Sequence, residues 1–151
     1  MNERLEFLVI GYGNTLRRDD GVGVKVAEAV AALNLPGVRV ITRHQLVPEL
    51  AEPLARARAA IFVDASVVPG ARELELRDVV ARQGGQILAH AADPRSLLSL
   101  AGQIFGHCPP AWSLAIPVAD FGFGDGLSPQ AESGLAAAVQ RITQLANRML
   151  A

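Results

Sequence analysis

The chain has 151 residues, half of them hydrophobic, and a formal net charge of -1 from 14 basic and 15 acidic side chains. That length suits one domain with one substantial core, residues 1–151, and the charge balance leaves no footprint for nucleic acid or an anionic membrane. The single cysteine, Cys108, excludes an internal disulfide and fits a reducing cytoplasm.

The segment Leu5–Ile10 is a short apolar run closed by Gly11-Tyr12-Gly13-Asn14. It is too short for a signal-peptide core or a membrane span, and the closing glycine marks it as a buried strand. From Gly21 the apolar residues Val22, Val26, Ala29, Val30 and Leu33 recur at helical spacing. Asp19 or Asp20 is expected to cap this helix, and Asn34 with Pro36-Gly37 to end it. Val38–Ile41 reads as a second strand. Leu50–Ala57 reads as a helix that tolerates Pro53 in its first turn. Ala60–Val63 is a third buried strand ending at Asp64. After a Pro69-Gly70 turn, Glu73–Leu76 alternates like a half-exposed edge strand.

Gly84-Gly85 predicts a loop before His90. Asp93-Pro94 supplies a cap and an N1 proline for a helix with Leu97, Leu98, Ala101, Ile104 and Phe105 on its core face. Gly106 through Pro110 break it. Trp112–Val118 is a further strand, with Pro117 placing it at an end or edge. Ser128-Pro129 opens a final helix whose core face is Leu135, Val139, Ile142, Leu145 and Met149. This alternation predicts an α/β fold. It is a three-layer domain with a mainly parallel twisted sheet, helices on both faces and one antiparallel edge strand.

Open parallel sheets bind ligands beyond the carboxyl ends of their strands. Asn14, Asp19 and Asp20 follow the first strand, Arg43, His44, Gln45 and Glu49 the second, Asp64 and Ser66 the third, and Asp120 and Asp125 the Trp112 strand. Carboxylates on three loops therefore converge on one rim, with His44 beside them and His90 before a helix start. A dinucleotide fingerprint fails, because Leu16 stands where a third glycine is needed and two aspartates occupy the place of a pyrophosphate. Taken singly, Asp20 is most simply a helix cap and His90 a hydrogen-bonded surface residue. Asp64 is harder to dismiss, since aspartate is a poor strand former. His107 and Cys108 adjoin one another without the context of a nucleophile and its base.

Gly11-Tyr-Gly13-Asn14-Thr-Leu16-Arg-Arg-Asp19-Asp20-Gly21-Val-Gly23 resembles the opening motif of the hydrogenase maturation endopeptidases. Ile61-Phe-Val-Asp64-Ala is similar to their second acidic motif. His90 with the Leu97-Leu98 helix resembles their histidine motif, and Gly124-Asp-Gly126-Leu127-Ser128-Pro129 their late loop. The match spans nearly the whole chain. The resemblance implies an endopeptidase that removes the C-terminal tail of a nickel–iron hydrogenase large-subunit precursor after nickel insertion. It implies Asp20, Asp64 and His90 as ligands of a divalent transition metal, the nickel being carried by the substrate and zinc a possible surrogate. Asp20, Asp64 and Asp19 are then the candidate catalytic carboxylates, and Asn14, His44 and Gln45 the candidate substrate contacts. His44 is also a candidate fourth ligand.

Thr42-Arg43-His44-Gln45-Leu46-Val47-Pro48-Glu49 departs from the glycine- and threonine-containing segment of many family members, so the pocket differs there. The competing readings are a metal-dependent assembly protein without proteolysis and a peptidase acting on another protein. The expected partner is a protein substrate, with no nucleic acid and no membrane, and the expected state is a cytoplasmic monomer.

Overall fold

In the computed structural model, residues 6–83 and 93–151 are described. The predicted strand–helix alternation is present as β1 (Phe7–Tyr12), α1 (Val22–Ala32), β2 (Val38–Arg43), α2 (Ala51–Arg56), β3 (Ala59–Ala65), β4 (Glu75–Asp78), α3 (Pro94–Phe105), β5 (Ala111–Ile116) and α4 (Pro129–Leu150). The sheet order is β2-β1-β3-β5-β4. The first three neighbouring pairs are parallel, and β4 runs antiparallel to β5 at the edge. The antiparallel edge strand was expected, but it lies two residues further along than Glu73–Leu76. The pairing Leu76↔Leu114 turns Leu76 toward the apolar layer.

Two apolar layers sandwich the sheet. One face, with Phe7, Val9, Ile61, Val63 and Leu114, packs under α1 and α4. The other, with Leu8, Ile10, Ala60 and Phe62, packs under α2 and α3. Alternate strand residues feed opposite layers because successive strand side chains point to opposite faces. Both faces are covered, so β1 and β3 are apolar almost throughout and show no polar–apolar alternation.

Gly23 sets the distance between α1 and the sheet. A Cβ there would overlap the Val63 carbonyl oxygen and press on that of Tyr12. Any side chain would therefore lever α1 off β1 and β3. Gly13 has φ +142, and a Cβ there would overlap the Asp20 carbonyl oxygen. The glycine motif is thus a device for close backbone packing at the carboxyl end of β1.

Several local expectations need correction. Neither Asp19 nor Asp20 caps α1. Both lie in a 3₁₀ turn, Arg18–Gly21, and the residue before α1 is Gly21, with no side-chain cap. The Leu50–Ala57 helix is split into a 3₁₀ turn, Pro48–Leu50, and α2, with Pro53 in the first turn of α2. Ile104 and Phe105 are exposed at the end of α3 and do not join the core. The strand expected over Trp112–Val118 is Ala111–Ile116, and Pro117 marks its end, as expected, on an inner strand. Asp93 and Ser128 do cap α3 and α4, accepting from the Ser96 and Ala131 amides respectively. Among the described residues no helix is long and apolar enough to cross a membrane.

Candidate functional site

The carboxyl ends of β1, β2, β3 and β5 form one rim, and the loops leaving them carry most of the candidate residues. The 3₁₀ turn that follows β1 holds two consecutive aspartates in different surroundings. Asp19 is fully buried. Its Oδ2 accepts from the Ala119 amide at 2.8 Å, the Asp120 amide at 2.9 Å and the Ser128 hydroxyl at 2.6 Å, and its Oδ1 from the Ser128 amide at 2.8 Å. Burial alone would push this carboxyl up. The Ser128, Ala119 and Asp120 donors outweigh it and hold Asp19 below the ordinary carboxylate value.

The result is a latch between the loop after β1 and the loop before α4. Further bonds close the seam: the Arg18 amide to the Gly124 carbonyl at 3.1 Å, the Gly124 amide to the Leu16 carbonyl at 2.9 Å, and the Asp19 amide to the Asp120 carbonyl at 2.9 Å. Asp120 and Asp125 also serve this loop. Asp120 accepts from the Gly122 amide and faces Arg18, and Asp125 accepts from the Gly126 amide.

Asp20 faces the other way. Its Oδ2 accepts the Asn14 amide at 2.9 Å, and its charge acts on Asp64. Asp64 is partly buried at the end of β3, with Oδ1 accepting the Ala65 amide at 2.8 Å. Burial pushes its carboxyl up to about 6, and the Asp20 charge adds to the rise. The Ala65 amide and the Tyr12 hydroxyl pull the other way. Two carboxylates thus share a half-buried corner with few donors.

The remaining candidates fall out unevenly. Asn14 is at the rim, and its side-chain oxygen accepts the Leu16 amide at 3.0 Å, shaping the loop. His44 and Gln45 are exposed in the bend after β2, on the same end of the sheet. His90 lies outside the described residues. Among the described residues no group of three or more histidine, cysteine, aspartate or glutamate side chains is placed to hold a metal ion, so His44 does not complete a three-donor set with Asp20 and Asp64. Cys108 is an exposed loop residue, its thiol pushed up by desolvation.

Sequence reasoning missed two residues. The sequence marks Ser128 as a helix opener within the late-loop motif, and nothing in it announces that Ser128 also donates to Asp19. Tyr12 falls in the glycine turn by sequence, whereas it is the last residue of β1 and stands level with Asp64. The available signal was its position: a polar-tipped aromatic at the carboxyl end of a central strand lies on the rim where ligands bind.

No protein-family model and no curated protein matches the chain. Solved structures do. The hydrogenase maturating endopeptidase HybD from E. coli superposes with a TM-score of 0.72 at 19% identity, covering 95% of this chain and 93% of that one. The [NiFe] hydrogenase maturation protease HycI from Thermococcus kodakarensis gives 0.69 at 23% identity, covering 97% and 93%. An uncharacterized protein from Wolinella succinogenes gives 0.64 at 26% identity, covering 97% and 99%. The chain therefore has, over nearly its whole length, the fold of the hydrogenase maturation endopeptidases.

Proposed function

We propose that the protein is an endopeptidase that processes the large-subunit precursor of a nickel–iron hydrogenase, recognising the nickel that the precursor already carries. The observation that carries this reading is the pair Asp20 and Asp64 on one rim, with Asp64 held near 6 beside a second carboxylate. Like charges confined together in a partly desolvated corner favour a cation between them. Oxygen donors of this kind suit nickel or zinc without selecting between them. Asp20 and Asp64 would hold the metal, with His90 the third donor that the sequence motif supplies.

A divalent metal held there would supply polarisation of a carbonyl or acidification of a water. The protein's own share is positioning and proton handling. Peptide hydrolysis adds water to the scissile carbonyl carbon, breaks the C–N bond and delivers a proton to the departing amine. Where the metal serves only as a recognition point and leaves Asp64 uncoordinated, Asp64 is the described rim carboxylate whose proton affinity is raised toward the working range of a general base. Asp19, with both oxygens taken by hydrogen bonds and its carboxyl held below the ordinary value, is suited to fastening loops and not to moving protons. Asn14, His44 and Gln45 border the rim and are assigned to substrate contact, in a cytoplasmic monomer.

The test is incubation with a nickel-loaded precursor, followed by mass spectrometry. Loss of a C-terminal fragment by the wild type, and not by Asp64→Asn, supports the reading. An intact precursor that nevertheless binds the protein through its nickel would replace protease with a non-proteolytic assembly factor.

A further inference from the structure

Among the polar rim side chains that the proposed chemistry leaves without a role, Tyr12 is the one level with Asp64 on the neighbouring strand. Tyr12 is the only tyrosine of the chain. It ends β1, one step beyond the pairing Gly11↔Val63, and Asp64 stands one step beyond Val63 on β3. Residues level with each other on neighbouring strands project to the same face. The Tyr12 ring is half-buried and packs on the layer formed with Leu8, Ile10 and Phe62. An aromatic body anchored in a core with its hydroxyl at a polar edge is the usual way a tyrosine is used for orientation.

We propose that Tyr12 is a positioning residue of the rim, its hydroxyl donating to the Asp64 carboxylate and fixing the orientation in which that carboxylate meets a divalent cation. The Ala65 amide already holds Oδ1 of Asp64 at 2.8 Å. A single donor leaves the carboxylate free to swing about that bond, and a second donor on a rigid ring removes the freedom. The other carboxylate that acts on Tyr12, Asp93, is already engaged. It accepts from the Ser96 amide at 2.9 Å, the Ser96 hydroxyl at 3.1 Å and the Arg82 guanidinium at 3.0 Å. Asp64 has fewer donors and is the better acceptor for the phenol. A phenylalanine would fill the same core space, so packing alone gives no reason for the hydroxyl.

The inference rests on the reading of Asp20 and Asp64 as a metal site, and the experiment separates the two. Wild type, Tyr12→Phe and Asp64→Asn are titrated with nickel and with zinc by calorimetry, after circular dichroism has checked each fold. Outer partners of metal ligands are worth about 10–100-fold in affinity, and that loss is expected for Tyr12→Phe. Protein biosynthetically labelled with a ring-fluorinated tyrosine keeps the hydroxyl, and it should keep wild-type affinity. Its single fluorine resonance should shift on metal addition. If wild type binds and Asp64→Asn is weakened while Tyr12→Phe binds as wild type does, Tyr12 is only a core aromatic. If the wild type binds neither metal, the site itself is wrong and the role of Tyr12 falls with it.

Discussion

Asp19 and Asp64 are both carboxylates withdrawn from water at the same end of the sheet, and they behave in opposite ways. Around Asp19 the loop before α4 delivers four donors, and the carboxyl is held below its ordinary value. Around Asp64 the hydrogen bond present is one, from the Ala65 amide, with the Tyr12 phenol and a second carboxylate near, and the carboxyl rises to about 6. Burial has the same sign in both. The number of donors decides which residue becomes a satisfied structural anion and which keeps its affinity for protons and cations.

The largest expected effect is Asp19→Asn. It puts an amide where three backbone N–H groups and a hydroxyl need acceptors, and hydrogen bonds to a charged partner are each worth about 1.5–3 kcal/mol. We expect a loss of about 3 kcal/mol in urea denaturation, while metal affinity changes by less than about tenfold. Unchanged stability with lost cleavage would make Asp19 a catalytic acid after all. Asp64→Asn should do the reverse. Calorimetry should show metal binding weakened by about 10–100-fold or more, with the metal-free protein as stable as the wild type at neutral pH or more so.

The same contrast predicts opposite pH dependences, measured as wild-type minus variant stability. Asp64 binds its proton more tightly when folded, so its unfavourable contribution is absent below about pH 4. It grows as pH rises through about 6, reaching about 2–3 kcal/mol at most. The contribution of Asp19 has the other sign. It is present above the ordinary aspartate value and is lost as pH falls through its lowered folded value. Parallel curves for the two variants would break the comparison. The smallest effect is expected for Cys108→Ala, an exposed position away from the rim. Stability should change by less than about 0.5 kcal/mol, and cleavage of a confirmed precursor should be unaffected.

The fold was legible because its signals are local. An apolar run closed by glycine marked β1, another ending at Asp64 marked β3, and Asp93-Pro94 and Ser128-Pro129 announced α3 and α4 at their observed starts. Even the antiparallel edge was readable from its alternation, though slipped by two residues, because a short half-exposed strand takes its register from its partner. The candidate site was legible in part. Strand ends named Asp20 and Asp64, while the same rule also named Asp120 and Asp125, which are engaged in building their own loop.

By itself the sequence determined that two neighbouring aspartates would lie in the loop that follows the first strand and its closing glycines. It did not determine which of them would turn inward. Asp19 and Asp20 are chemically identical and adjacent, so no propensity or spacing separates them. Only the tertiary structure decided, by bringing the amides of Ala119, Asp120 and Ser128 from 100 to 109 positions away onto one of them. That loop satisfies Asp19 and leaves Asp20 facing Asp64. The difference between a latch and a candidate ligand is thus set by donors that folding delivers from the far end of the chain.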